Sequence, residues 1–237
     1  MIYDEIYNFC KIRDTSKNIF SNRARFLIDL LKKVGIEYKI IRTFNNIHDK
    51  YFYNIYCFGS SNKFLSAHYD VVNMNVDNAN DDSASIINAI AYKLMNPSIN
   101  LLILDGEEPP YMGVGSDYAA KYLKANNISV NWILNLELTG VGRSFFIDNV
   151  PTQFGLNIKK YFEDAFVINT PFNDAMIFRK HGLQSNVITT VNLKENGTPD
   201  MSILYNSHGP ADSVDKMSTS DMKYFVENVI DYIVKNC

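Results

Sequence analysis

Five short stretches hold the residue types that do hydrolytic chemistry: SAHYD at 66–70, NANDDSAS at 78–85, LDGEEPP at 104–110, NLELTG at 135–140 and NSHGPAD at 206–212. Together they offer His68, Asp81, Glu108, Glu137 and His208. Two imidazoles and three carboxylates form a mixed nitrogen and oxygen donor set suited to zinc, with cobalt or manganese as substitutes. One carboxylate shared between two ions, with an imidazole and a further carboxylate on each, would make a two-metal hydrolytic site. The adjacent Glu107 and Glu108 divide labour as that chemistry requires. One carboxylate binds metal while the other stays free to move a proton.

Each element also has a plainer explanation. A lone histidine is commonly satisfied through one ring nitrogen and a nearby carbonyl. Asp81 or Asp82 could cap the helix expected at SASIINAIA. Glu107 and Glu108 could be a solvated turn ahead of Pro109 and Pro110, which break a helix. Glu137 is harder to dismiss. It interrupts the apolar run WILNLEL, where a buried carboxylate without a partner is costly, so it needs a cation or a donor.

The elements that must position these groups alternate. Aromatic and β-branched runs at EYKIIRTF, YNIYCFG, KFLSAHY, NLLILDGEE, NWILNLELTG and SNVITTV predict strands. Helices are expected at about 2–12 and 16–34, in DSASIINAIAYKLMN, GSDYAAKYLKANN, FGLNIKKYFEDAF and DAMIFRKHG, and from about Ser218 to Lys235. The alternation predicts an α/β fold, a three-layer α/β/α sandwich around a mixed, mostly parallel sheet. Reactive groups at strand ends then open on a crevice rather than a core. At 237 residues the chain fits one such domain, with residues 1–50 supplying N-terminal helices and the first strand.

Bulk properties narrow the function classes. Hydrophobic residues at 46% and charged residues at 21% exclude a disordered or fibrous chain. The 23 basic and 26 acidic residues are dispersed, giving a net charge of −3 and no basic patch for nucleic acid. No run is long and apolar enough to span a membrane, and the start lacks a secretory pattern. Cys10, Cys57 and Cys237 form no CxxC pair, which predicts a reduced, cytoplasmic setting.

HYD, ANDDSAS, DGEEPP followed by MGVGS, NLELTG and the histidine of SHGPADSVDKM stand in an order that resembles the zinc-dependent exopeptidases of the aminopeptidase, glutamate carboxypeptidase II and glutaminyl cyclase family. The resemblance covers about residues 60–235. It implies that His68 and His208 are terminal ligands of different zinc ions, that Asp81 bridges them, and that Glu108 and Glu137 complete the two sets. It further implies Glu107 as general base, Asp70 as the group orienting His68, and a cis peptide between Asp81 and Asp82. Asp174, ahead of the helix DAMIFRKHG, is a candidate by the same resemblance and equally an N-cap. The chain departs from the family at Asn78 and Ser85, where glycines are common, and at Glu137, where Asp is commoner. The loop after Glu108 is longer than in compact relatives and is expected to line the pocket with Tyr111 and Met112, near Phe172.

These features lead to the expectation of a dizinc aminopeptidase acting on peptides with a free N-terminus. A glutaminyl cyclase using one zinc and a non-catalytic binding protein are the alternatives. Carboxypeptidase action would need a cation for the substrate's terminal carboxylate, for which Arg143 and Arg179 are candidates.

Overall fold

The computed structural model describes residues 2–12, 21–72 and 75–237. Eight strands make one sheet: β1 Tyr38–Asn45, β2 Lys50–Cys57, β3 Lys63–His68, β4 Asn100–Leu104, β5 Trp132–Leu136, β6 Ser144–Asp148, β7 Phe166–Ile168 and β8 Ser185–Val191. Across the sheet they lie in the order β1, β2, β4, β3, β5, β8, β6, β7. The centre, β4, β3, β5 and β8, is parallel. β1 and β2 join antiparallel on one side, and β6 runs antiparallel to β8 on the other.

This order explains the composition of the strands. β4 and β5 are buried along their whole length, so NLLIL and WILNL read as continuous apolar runs rather than alternating ones. The chain leaves β3 for β4 on one side and returns from β4 to β5 on the other. The carboxyl ends of β3, β4 and β5 therefore flank a switch point, where a crevice opens between loops that diverge.

Helices cover both faces. One carries α1 Ile6–Phe9, α2 Asn22–Lys33, α3 Ser85–Met95, α5 Gln153–Tyr161 and a C-terminal helix. That last helix runs from α8 Thr219–Tyr224 through a π-helical turn, Phe225–Ile230, into α9 Asp231–Asn236. Leu27, Leu31, Ile86, Ile90, Phe154, Val229 and Ile233 pack there against Leu65 and Leu134 of the sheet. The other face is covered by α4 Val114–Ala125 and α6 Asp174–Lys180, with Ala119, Ala120, Leu123 and Phe178 over Leu102, Leu104 and Ile133. A short helix, α7 Ser202–Asn206, follows β8.

Local chemistry sets the boundaries. Ser21 starts α2 by accepting a hydrogen bond from the Ala24 amide at 3.0 Å, and Thr152 starts α5 through the Gly155 amide. The part of the second expected helix at 16–20 lies outside the described residues. The expected helix FGLNIKKYFEDAF stops at Tyr161, and Phe166 begins β7. β6 and β7 carry no alternation long enough to predict; register with β8 and with each other makes them strands.

α2 also places a buried arginine against the sheet. Arg23 is fully buried, donating from Nε to the Tyr69 carbonyl at 2.6 Å and from Nη2 to Ser83 Oγ at 2.9 Å. Its guanidinium lies 4.1 Å from the centre of the Phe9 ring. A guanidinium is tolerated at such depth when its donors are satisfied.

Gly115 marks a close approach between α4 and the loop after β4. A Cβ there would stand 1.9 Å from the Asp105 carbonyl oxygen, backbone that cannot swing away. Asn54 ties the two segments, donating to Gly115 O at 2.7 Å and accepting from the Asp105 amide at 3.0 Å. Gly115→Ala is expected to destabilise the protein by about 1–3 kcal/mol through overpacking. Chemical denaturation checks this, and an unchanged midpoint would refute it.

Candidate metal centre

His68 is the last residue of β3, Glu107 and Glu108 lie just beyond β4, and Glu137 directly follows β5. Three parallel strands thus deliver acids and an imidazole to one end of the sheet. Asp81 lies in the turn Ala79–Ala84 that leads into α3, and His208 in the loop after α7. His68 and Asp81 are buried, Glu107 and Glu108 are 7% and 4% exposed, and the His208 ring is open to solvent on one side. The two glutamates are therefore not a solvated turn.

Asp81 stands between the two imidazoles. Its Oδ1 is 3.2 Å from His68 Nε2 and its Oδ2 is 3.0 Å from His208 Nε2. Glu137 Oε1 approaches His68 Nε2 at 3.3 Å, and Glu108 Oε1 approaches His208 Nε2 at 3.0 Å. Glu107 Oε2 is 3.9 Å from His68 Nε2. All five expected ligands and the expected base are thus brought together. His68, Asp81 and Glu108 present donor atoms within 4.8 Å of one another, as do His68, Asp82 and Glu137.

Asp70 is placed behind these groups. Its Oδ1 and Oδ2 accept the Glu107 and Glu108 amides at 3.1 and 3.0 Å, and its carbonyl oxygen is 3.2 Å from His68 Nδ1. Because a carbonyl only accepts, His68 carries a proton on Nδ1 and aims Nε2 at the acids. Asp82 is engaged differently. Its oxygens accept the amides of His68 at 3.3 Å and Leu138 at 3.2 Å, binding the ends of β3 and β5 together. Neither Asp81 nor Asp82 caps α3, whose first turn has no side-chain cap. The peptide between them is cis.

Several positioning residues carry no motif. Asn135 donates to Glu137 Oε2 at 3.3 Å and accepts from Ser66 Oγ at 2.8 Å. A polar residue in the apolar run of β5, it could have been found by the argument that singled out Glu137. Asp212 accepts the Asn80 amide at 2.6 Å and the Asp81 amide at 3.3 Å, fixing the turn that presents Asp81. Leu138 and His208 have positive φ, 55° and 64°, a conformation a side chain resists unless its surroundings impose it. The Asp82 bond to the Leu138 amide supplies that constraint for the residue after Glu137.

The electrostatics fit a divalent cation. Asp81 Oδ1 is buried with no hydrogen-bond donor directed at it, and both oxygens of buried Asp174 lack donors as well. Among the described residues, the ion pairs of Asp70, Asp81, Glu107, Glu108 and Glu137 are with histidine alone. Burial pushes Glu107 well above the usual carboxylate range; His68 opposes this, and Glu137 adds to it. Burial likewise pushes Glu108 up to about 7, against the pull of His208. Asp81 is held well below its ordinary value, because His208 and His68 outweigh its burial. Hydrogen bonds to Asp81 and Glu108 raise His208 to about 10. Crowded acids of this kind are relieved by a cation.

Asp105 and Asp174 are each pushed up to about 7, chiefly by burial. Asp174 is not the N-cap of α6, a position held by Asn173. Folded values above the ordinary 3.8 mean that the folded chain holds more protons than the unfolded one between about pH 4 and pH 7. Stability of the metal-free protein is therefore expected to fall as pH rises through that window. Thermal melts of chelated protein across it check the sign, and Asp105→Asn should flatten the slope. A profile that instead rises with pH would contradict the assignment.

The cleft over these groups, about 100 Å³, has Phe146, Phe172, Val187 and Leu204 as its apolar wall. Tyr111 packs elsewhere, with its ring 5.1 Å from His48 and 5.1 Å from Phe52 and with Lys50 Nζ 4.0 Å from its centre. Arg179 pairs with Asp148 at 2.6 Å and Arg143 with Asp221 at 2.8 Å, so neither candidate cation faces the cleft.

The model of peptidase family M28 matches residues 60–233. No curated protein matches the chain. Among solved structures, Porphyromonas gingivalis glutaminyl cyclase is similar with a TM-score of 0.76 at 15% identity, over 100% of this chain and 97% of that one. A Zn-dependent exopeptidase from Parabacteroides distasonis is similar with a TM-score of 0.73 at 14% identity, over 98% and 96%. Legionella pneumophila LapA aminopeptidase gives a TM-score of 0.72 at 12% identity, over 98% of this chain and 70% of that one. At these identities the likeness is one of fold.

Proposed function

Because the chain belongs to peptidase family M28, we propose that it is a zinc-dependent aminopeptidase that removes the first residue of a peptide with a free N-terminus. The observation that carries this is the placement of Asp81, whose two oxygens face different imidazoles. That carboxylate divides the donors into His68 with Glu137 and His208 with Glu108, so that each half has an imidazole, an unshared carboxylate and one oxygen of Asp81. Two zinc ions would be held this way, with cobalt or manganese as substitutes. Bound zinc supplies Lewis acidity toward a carbonyl oxygen and lowers the pKa of water.

The chain's own groups do the rest. Glu107 takes a proton from the attacking water and returns it to the departing amine, a role suited to a carboxyl whose pKa lies well above the usual range. Asp70 holds the Glu107 and Glu108 amides and stands against the protonated edge of His68, keeping base and ligands in register. The substrate's ammonium group is drawn by the surplus of carboxylates, and its first side chain meets the wall of Phe146, Phe172, Val187 and Leu204. Apolar first residues are therefore favoured. Arg143 and Arg179 are committed to Asp221 and Asp148, so neither is the cation that carboxypeptidase action would need.

Mass spectrometry on short peptides incubated with zinc-loaded protein tests this. Free, acetylated and Gln-first N-termini should be compared. Stepwise loss of first residues from free N-termini alone is the expected result. Loss of ammonia from the Gln-first peptide alone would make the protein a cyclase, and cleavage of acetylated peptides would remove the exopeptidase assignment.

A further inference from the structure

The cleft at the acids is not the larger cavity on this side of the molecule. A second groove, about 430 Å³, begins at Leu138 and Ser207, residues that also line the cleft. It passes Asn80 and Asp212, whose contacts hold the Asp81 turn, and is flanked by Asn192, Asn206 and Lys216. The two spaces thus adjoin at Leu138 and Ser207, on the Asp81 and His208 side of the centre. For a substrate with its first residue in the small cleft, the adjoining groove offers room in which to continue.

The groove differs in chemistry from the cleft. The cleft is walled by acids, whereas the side-chain amides of Asn192 and Asn206 and the ammonium of Lys216 make no hydrogen bond or ion pair among the described residues. Three uncommitted groups able to donate therefore share one groove. The acids there are partly spent: Asp212 accepts backbone amides with both oxygens, and Asp200 accepts the Ser202 amide at 3.1 Å. Lys216 is exposed, so its side chain is free to reorient onto a ligand.

We propose that this groove receives the leaving-group side of the substrate, and that Lys216 with Asn192 and Asn206 binds its terminal carboxylate. The preferred substrates are then short peptide acids whose far end lies within the groove. A cavity of this size holds a small ligand rather than a long chain, and a carboxylate so close to an acidic centre needs a cation to offset repulsion. The assignment rests on the aminopeptidase function above, since it takes the cleft as the seat of the first residue.

The test compares one tripeptide as its free acid and as its C-terminal amide, with an aminoacyl-p-nitroanilide as a substrate that lacks the carboxylate. In the wild-type protein, amidation is expected to lower kcat/KM about tenfold, mainly through KM. In Lys216→Gln that difference should shrink to about twofold or less. Hydrolysis of the anilide together with equal rates for acid and amide would overturn the groove assignment and leave the aminopeptidase intact. Calorimetric titration with the same acid and amide, on zinc-loaded Glu107→Gln and on the double variant Glu107→Gln, Lys216→Gln, supplies a readout apart from turnover. Equal binding of acid and amide to zinc-loaded Glu107→Gln refutes the proposal whether or not the wild type cleaves any peptide. A preference for the acid that Lys216→Gln abolishes supports it.

Discussion

Replacing Glu107 with glutamine is expected to lower kcat by about 10²–10⁴-fold while leaving zinc content unchanged. The substitution keeps the shape of the side chain and the backbone amide that donates to Asp70 at 3.1 Å, so the loop after β4 should not move. What it removes is a carboxylate that stands slightly off the donor set. Glu107 lies 3.9 Å from His68 Nε2, whereas Asp81 and Glu137 are at 3.2 and 3.3 Å. An amide cannot accept the proton from water or pass it on. Inductively coupled plasma mass spectrometry and steady-state kinetics on the same preparation separate the possibilities. Retained zinc with collapsed turnover is the expected pair of results, and full turnover would take the base role away from Glu107. Loss of zinc would show that Glu107 is a ligand.

Asp81→Ala should have the largest effect on metal content, because it takes one donor from each half of the centre. Zinc per chain is expected to fall from about two to below about one, whereas Glu108→Ala and Glu137→Ala should each lose about one ion. Stability reports the same event independently. A ligand at a hundred times its dissociation constant stabilises a fold by about 2.7 kcal/mol. For a chain of this size that corresponds to a zinc-induced rise in Tm of roughly 5–10 °C. The wild type should show that rise and Asp81→Ala should not. Two ions retained in Asp81→Ala would rule out the shared carboxylate, and a wild type that binds a single ion, insensitive to Glu137→Ala, would favour one-zinc chemistry.

His68, Glu108 and Glu137 were legible in the sequence because each follows an apolar run, and Asp81 and His208 because their motifs stand in a fixed order with those three along the chain. Glu137 announced itself through the cost of an acid in WILNLEL, and Asn135, two residues earlier, offered the same signal in weaker form. Asp212 did not. It acts on the amides of Asn80 and Asp81, more than 130 residues away in sequence, and a side chain bound to distant backbone leaves no local periodicity. The strands β6 and β7 were hidden for a related reason: five and three residues are too few to establish a pattern, and pairing with β8 decides them. Tyr111 was misplaced because an aromatic residue in a loop near acids reads as pocket wall. Its actual partners, His48, Phe52 and Lys50, belong to a hairpin whose approach cannot be inferred from the loop itself.

Arg23 gives the N-terminal segment a role that the family match, residues 60–233, does not include. One guanidinium reaches the carbonyl of Tyr69, between His68 and Asp70, and the hydroxyl of Ser83, two residues beyond Asp81. β2, also outside the match, covers the hydrogen-bonding edge of β4 through pairs such as Ile55 with Ile103. The stretch that bears the family's signature is accordingly not a portable unit. Excised at residue 60, it would expose the flank of a parallel sheet to self-association and leave the two segments carrying its donors without their common brace.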